Sequence, residues 1–553
     1  MWESLMSDKH IVLVPHLGDQ ILNTRLLVED LKVAVEVKRE ENKWFSKESL
    51  SEAIKSVMDK DGKIPKLYIY RVKATAQPYS KGKNHHFQSP ETEKPKKKKK
   101  KMAKLHIAMY PWYAFGHMIP YVHLANELAA RGHRISIFVS KKAQSKLQSH
   151  NLHPHLITFI TITIPHVDGL PEGTETAHDV PMEMNHLVSD AMLLTRQQVE
   201  EILIADKPNF VFHDFAFWIP QVTKKLGIKS VCFLVVSATS MAAGIKPSPE
   251  ATDDKPLTEE QLMRPPGYPS STVVLNLDEM MSFVAASDFT CMTKLHERLT
   301  TSMSDCDVLA IRTCTELEGK FCDYIQAHYK KPLLLTGYVL PEEAESRLEQ
   351  RWADWLQRFE PGSVLYCAFG SQYVLEKDQF QELVLGFELT GLPFFIALKP
   401  PVGCANVEEA LPEGFEERVK GRGVVHGGWV QQTLFLSHPS VGCFVGHCGF
   451  GSMWESLLSD KQIVLVPHLG DQILNTRLLS TDLKVAVEVK REKNRWFSKE
   501  SLNEAIKSVM DKDSEVAILL KKNHLELREK LIKPGFSSGY VDRFVQSLEE
   551  LAN

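Results

Sequence analysis

From Lys104 onward, hydrophobic and polar positions alternate in a repeating rhythm of strand, loop and helix. "LHIAMY" is a nearly continuous apolar run, "PWYAFGH" interrupts it, "MIPYVHLANELAARGH" carries apolar residues at helical spacing, and "RISIFVS" is apolar again. Short unbroken apolar runs are what strands show when both faces of a parallel sheet are covered, and parallel strands need crossover helices between them. The rhythm recurs at "NFVFHD", "FAFWIPQVTKKLG" and "SVCFLVV". It restarts after Pro361 with "SVLYCAFGS", a helix through "EKDQFQELVLGFELTG" and the strand "PFFIALK". This predicts two Rossmann-like α/β domains in tandem, joined near "TGYVLPEEAESRLEQRWADWLQRFEPG". The first turn has no GxGxxG, so no dinucleotide fingerprint is present. Ligands of open α/β sheets bind at the carboxyl ends of the strands, which makes the cleft between the two domains the expected site.

A second regularity is a copy. Met1 to Asp61 repeats Met453 to Asp513 at a constant offset of 452, with 54 identities in 61 positions. One pair of copies is not a stacked repeat architecture, which needs several short units. Residues 1–63 are therefore read as a partial duplicate of the C-terminal domain. Residues 64–101, poor in apolar periodicity and ending in a lysine run from Lys96 to Lys101, are read as a disordered linker. The lysine run reads as a solvated tail in preference to an import signal or polyanion patch. The copy begins at the counterpart of Met453, so it keeps the pair Asp19-Gln20 but lacks the glycine turn that precedes Met453. A piece cut from a parallel sheet leaves strand edges and apolar faces uncovered, and residues 1–101 are expected to be dispensable. The remaining expected divisions are an N-terminal domain over 102–340, a C-terminal domain over 341–535, and a final helix over 536–553 that packs back on the N-terminal domain.

Composition narrows the partners. A formal charge of -4 and a pI near 6.6 give no electrostatic case for nucleic acid or an anionic membrane, which leaves a small molecule. The 9 cysteines show neither a CxxC pair nor metal-ligand spacing, which suits a reducing compartment. With no signal peptide and no apolar run of roughly 18 residues, a soluble cytosolic monomer without stable membrane insertion is expected.

The chemistry is concentrated in "GWVQQTLFLSHPSVGCFVGHCGFGSMWESLLSDKQIVLVPHLGDQ". Within it, "GHCGFGS" puts Gly446, Gly449 and Gly451 in a turn from a strand into a helix expected to start at Ser452. Such a turn suits a diphosphate, because glycines admit close backbone approach and the helix start offers unpaired N–H groups. The plainer reading is a capping box, in which Ser452 and Glu455 only satisfy their own helix. The 44 residues from Trp429 to Gln472 resemble the signature of plant family 1 UDP-glycosyltransferases, and the resemblance extends over about Met102 to Asn553. It implies the two-domain GT-B fold, with domains facing across a cleft, an inverting mechanism, and neither cofactor nor catalytic metal.

By position, the resemblance implies that Trp429 stacks on uracil with Val430 beside it, and that Gln432 and Glu455 hold the ribose. Ser371, His447, Gly451 and Ser452 meet the phosphates, and Asp471 and Gln472 bond the donor sugar. Phe450 and Gly451 stand where the commonest pattern has Trp and Asn. The "GFGS" variant is typical of a branch that adds a sugar to the sugar of a flavonoid glycoside. His117, in the loop-to-helix turn after the first strand, is the expected base, since imidazole titrates near working pH and a helix start favours its neutral form. Asp214, just after "FVFH", is its expected partner, and it is preferred over His213 because neighbours on a strand face opposite ways. Trp112 and Tyr113 are the candidate acceptor contacts, beside the loop "IPHVDGLPEGTETAHD".

The expected activity is transfer from a UDP-sugar to a hydroxyl of a plant phenolic, namely the sugar of a flavonoid or anthocyanidin glycoside. A flavonoid aglycone, terpenoid or saponin acceptor is the alternative, and a catalytically silent nucleotide-sugar binder is the alternative of another class. The donor sugar stays open among glucose, xylose, arabinose and rhamnose.

Overall fold

A computed structural model describes residues 11–13, 34–36, 104–245, 264–280, 295–340, 347–370, 373–468, 470–492 and 495–552. The chain divides into two compact units, Met1–Lys96 and Lys97–Asn553. In the first unit, β1 (Ile11–Leu13) and β2 (Ala34–Glu36) pair in parallel, with Val12 opposite Val35 and Leu13 opposite Glu36. Their counterparts in the second unit keep the same register, Val464 opposite Val487 and Leu465 opposite Glu488. The copied sequence thus specifies the same pairing twice. The expected linker over 64–101 lies outside the described residues.

The second unit holds two parallel sheets. One contains β3 (His106–Tyr110), β4 (Arg134–Val139), β5 (Ile157–Thr161), β6 (Phe210–His213), β7 (Lys229–Leu234), β8 (Val308–Ile311) and β9 (Leu333–Leu335), in the order β5-β4-β3-β6-β7-β8-β9. The other contains β10 (Val364–Ala368), β11 (Phe394–Ala397), β12 (Gly423–His426), β13 (Val441–Gly446), β14 (Gln462–Leu465) and β15 (Val487–Glu488), in the order β12-β11-β10-β13-β14-β15. Both are doubly wound. The strand order reverses between β3 and β6 in one sheet and between β10 and β13 in the other, and such reversals open the crevices in which open α/β sheets bind ligands.

Each sheet is covered on both faces, which explains the unbroken apolar runs. The Phe115–Ala130 helix packs through Met118, Tyr121 and Leu128 on one face of the first sheet, while Tyr110, Phe138 and Trp218 fill the other. In the second sheet Phe380, Phe387 and Phe394 lie on one side and Tyr366, Phe395 and Phe435 on the other. A further cluster belongs to both domains, joining Leu234, Ile311 and Phe321 to Phe450, Trp454, Ile473 and Leu478.

The Phe536–Ala552 helix returns to the first domain, where Val541, Phe544, Val545 and Leu548 enter its core. Burying such side chains is worth roughly 1.5–3 kcal/mol each, whereas an exposed ion pair adds at most about 1 kcal/mol. Apolar burial therefore holds this helix, and the Arg131–Asp542 contact at 2.8 Å only orients it. Among the described residues, no helix is long and apolar enough to cross a membrane.

His123, on the buried face of the Phe115–Ala130 helix, has neither ring nitrogen hydrogen-bonded. Burial, with Arg312 and His150 adding to it, lowers its pKa to about 3. The folded state therefore binds this proton less readily than the unfolded chain. Its contribution to stability is complete above the ordinary histidine value near 6.5 and is lost as pH falls towards the folded value. His123→Leu, which removes an unpaired polar group at similar volume, is predicted to flatten the fall of Tm between pH 6.5 and 4, by the equivalent of about one proton. Thermal unfolding across that range checks it; an unchanged slope would assign the acid sensitivity elsewhere.

Candidate active site

The first domain contributes from its point of strand reversal. Tyr110, the last residue of β3, pairs with His213, the last residue of β6, so the loops that follow emerge side by side. One loop leads into the Phe115–Ala130 helix, whose third residue is His117; the other begins with Asp214. His117 Nδ1 and Asp214 Oδ2 are 2.8 Å apart. Asp214 Oδ1 accepts from the backbone N–H of Trp112 at 2.8 Å and of Phe215 at 2.6 Å. Three donors thus fix one carboxylate whose side chain is only 1% exposed, against 17% for His117. With Nδ1–H directed at Asp214, Nε2 is left with its lone pair, which is the form a base requires. His213 points into the core, where burial lowers its pKa to about 3, opposed by a hydrogen bond with the Asp214 backbone. The alternation of strand faces thus separates the two neighbours.

The second domain contributes from its own reversal. After β13 the turn Gly446-His447-Cys448-Gly449 leads into the Phe450–Leu458 helix, capped by Gly449. The helix starts two residues before Ser452, so the expected start and the capping box are both corrected. Ser452 Oγ donates back to the Gly449 carbonyl at 2.9 Å, and Glu455 instead accepts from Gln432 Nε2 at 2.5 Å. Burial raises the Glu455 pKa, opposed by the Gln432 bond and by the Arg312 guanidinium. Burial lowers that of His447 to about 4, opposed by a hydrogen bond with the Ala368 backbone.

The glycines around His447 differ in purpose. Gly370, at the end of β10, has φ +71°, and a Cβ there would lie 3.0 Å from His447 Cε1; a Cβ on Gly449 would lie 2.5 Å from Nε2. A Cβ on Gly451 would meet nothing within 4 Å. Gly370 and Gly449 therefore make room for the imidazole, while Gly451 leaves space above the helix start.

Asp471 opens the Gly470–Arg477 helix. Its carboxyl is pushed up by burial, while backbone N–H groups pull it down. Gln472 is buried, and its Oε1 accepts from the His468 N–H at 2.9 Å.

Trp429 is 80% exposed, an indole that packs against little of its own chain. The Val430 side chain is buried beside Phe435 and Phe444, which leaves only its main chain to meet a ligand. Ser371 lies outside the described residues. Trp112 is half-buried, edge-on to Phe215. Tyr113 requires correction as an acceptor contact: it is 1% exposed, and its hydroxyl is 2.6 Å from that of Tyr110 inside the core. Trp112 lies half-buried against the same cluster, its ring nearly parallel to that of Tyr113 at 6.4 Å between centroids, so it alone of the two keeps exposed surface.

Phe215, whose ring lies 5.3 Å from that of His117, and Arg312, just beyond β8, went unnoticed in the sequence. The aromatic directly after the expected carboxylate was the available signal for Phe215; nothing local marked Arg312. The loop expected to meet the acceptor borders a cavity of about 420 Å³ lined by Lys141, Thr161, Ile164, Leu170 and Glu175. Among the described residues, no group of three or more His, Cys, Asp or Glu is placed to hold a metal ion.

The sequence and the fold have counterparts among known proteins. Residues 420–532 match the family described as UDP-glucoronosyl and UDP-glucosyl transferase. The chain is 56% identical to UDP-glycosyltransferase 79B9 of Arabidopsis thaliana over 81% of its length and 98% of the relative. It is 54% identical to the anthocyanidin 3-O-glucoside 2'''-O-xylosyltransferase of Arabidopsis thaliana, over 80% of this chain and 97% of that one. Among solved structures it superposes on Arabidopsis thaliana UGT89C1 complexed with UDP-L-rhamnose with a TM-score of 0.64 at 24% identity, covering 81% of this chain and 99% of that one. For Glycyrrhiza uralensis UGT73P12 the TM-score is 0.69 at 21% identity, covering 81% and 96%.

The two kinds of glycine predict opposite tolerance. Gly370→Ala places a side chain at positive φ and against His447, and is predicted to lower stability by about 1–2 kcal/mol or more. Gly451→Asn, in open space on the first helical turn, is predicted to leave Tm within about a degree or two, since helix propensity changes little. Thermal unfolding of both variants checks the contrast; equal losses would mean that the turn does not depend on that close approach.

Proposed function

The chain belongs to the plant family 1 UDP-glycosyltransferases, and from that membership we propose that it moves the sugar of a UDP-sugar onto a sugar hydroxyl of a flavonoid or anthocyanidin glycoside, with inversion at the anomeric carbon. The observation that carries the chemistry is the His117–Asp214 pair, 2.8 Å apart at the strand reversal of the first domain. The 54% identity to a relative named for acting on an anthocyanidin 3-O-glucoside supports the acceptor class.

In this reading the acceptor hydroxyl gives its proton to His117 Nε2 as its oxygen attacks the anomeric carbon and the bond to the UDP oxygen breaks. Asp214 holds Nδ1–H throughout and stabilises the imidazolium that forms, as the carboxylate of a hydrolase triad does. UDP departs with growing negative charge. The N–H groups at the start of the Phe450–Leu458 helix, with His447 and Ser452, meet that charge where the helix dipole favours it. Trp429 takes the uracil on its exposed face, and Glu455, held by Gln432, takes the ribose hydroxyls. Asp471 and Gln472 bond the transferred sugar. The reaction needs one base and an oriented pair of substrates, and none of these steps calls for a cofactor. We further infer that residues 102–553 carry the whole activity, a reading supported by relatives matched over 97% or more of their own length by about four-fifths of this chain.

The experiment is UDP release with UDP-glucose and UDP-xylose, each offered a flavonol 3-O-glucoside and the corresponding aglycone. Turnover on the glucoside is expected, with kcat reduced about 10²- to 10⁴-fold in His117→Ala and lowered in Asp214→Asn. A chain starting at Met102 should match the full chain. Turnover on the aglycone alone would overturn the acceptor assignment, and an unaffected His117→Ala would overturn the mechanism.

A further inference from the structure

Beyond the catalytic pair, the two domains meet through a set of largely buried charges. Residues 264–280 belong to the first domain: Tyr324 Oη donates to the Pro266 carbonyl, and Tyr268 packs against Phe321 and donates to the Val273 carbonyl. Val273 and Leu275 then enter the cluster shared by both domains. Asn276 and Glu279 close a reciprocal helix cap, with Glu279 N–H donating to Asn276 Oδ1 at 2.8 Å and Asn276 N–H donating to Glu279 Oε2 at 2.9 Å. That cap fixes the carboxylate and leaves Oε1 aimed across the domain boundary.

Oε1 accepts from Arg477 Nη2 at 2.7 Å and lies 3.8 Å from Arg491 Nη2. Arg477 also donates to the Val274 carbonyl and is the last residue of the helix that begins Gly470-Asp471-Gln472. Arg491 donates to Glu488 at 2.9 Å and to the Pro467 carbonyl at 2.9 Å, and Arg495 donates to the His468 carbonyl at 3.0 Å. His468 in turn donates its N–H to Gln472 and stacks on Tyr373 with ring centroids 4.0 Å apart. Both ends of the Pro467–Arg477 stretch that carries Asp471 and Gln472 are thus gripped by arginines that share one carboxylate from the other domain. The side chains of Glu279, Arg477 and Arg491 are only 11%, 17% and 8% exposed. At such burial a missing partner leaves an uncompensated charge, so this is no screened surface pair.

We propose that Glu279 is a positioning residue for donor-sugar recognition, through which the first domain sets the geometry of Asp471 and Gln472 in the second. The inference rests on the reading that these two residues hold the sugar. It assigns Glu279 no contact with substrate; it acts through Arg477 and Arg491. Because the uridine contacts, Trp429, Gln432 and Glu455, lie on other elements, the role predicts a split between nucleotide and sugar affinity.

The test compares the Kd of UDP with the KM of the UDP-sugar in the full chain. Glu279→Gln keeps size and the cap's acceptor but removes the charge. It is expected to raise the donor KM about tenfold, equivalent to ~1.4 kcal/mol, with the Kd of UDP within about twofold. Glu279→Asp should recover part of the loss. If Glu279→Gln does not fold, Arg491→Lys, which keeps the charge but not the forked geometry, carries the same comparison. Equal changes in UDP and UDP-sugar affinity, or none in either, would overturn the proposal. Asp471→Asn and Gln472→Ala distinguish the failure beneath it: if they leave the donor KM unchanged, the sugar assignment itself has failed.

Discussion

Everything in the catalytic unit depends on apolar burial across its domain junction. Leu234, Ile311 and Phe321 of one sheet's layer share a continuous cluster with Phe450, Trp454, Ile473 and Leu478 of the other's. Tyr338, on the connection between the domains, lies 5.6 Å from Trp454 and 6.3 Å from Phe536. Two doubly wound sheets have no intrinsic reason to present their carboxyl edges to each other. This cluster, together with a final helix anchored in the first domain, supplies one. The charged contacts then act at a junction already dry enough to give them effect.

The division of labour follows from that arrangement. Each domain offers the crevice at its own strand reversal, where loops after neighbouring strands diverge and leave room. The first fills it with a histidine whose Nδ1 is held by a buried carboxylate. The second fills it with a glycine-walled histidine and a helix start. Burial pushes the carboxyls of Glu455 and Asp471 up and the imidazole of His447 down, so the neutral forms of all three are favoured. Polar groups in such a site interact more strongly with an aligned substrate than they would in water.

The parallel strands and their two restarts were legible in the sequence, because strands buried on both faces leave unbroken apolar runs that little else produces. His117 and Asp214 were legible as residues at strand ends, although their 2.8 Å approach depends on β3 and β6 being neighbours, which no local pattern states. The helix start was misplaced because a serine followed three residues later by a glutamate satisfies the capping pattern. Only the tertiary partner Gln432 shows that Glu455 is engaged elsewhere. Tyr113 was indistinguishable from Trp112 in sequence, since which of two adjacent aromatics turns inward is decided by the path of the loop. Glu279 and Arg477 are 198 residues apart, and an ion pair between such distant positions leaves no trace in either neighbourhood.

We propose a single displacement driven by a histidine base, with no protein nucleophile. The most direct test is the anomeric configuration of the product, read by proton NMR from the coupling across the new glycosidic bond. A donor linked α to UDP should yield a β-linked product with the full chain and with no α-product at early time points. Retention of the α configuration would mean either double displacement through a protein side chain or attack from the leaving-group face, and would contradict a single inverting displacement.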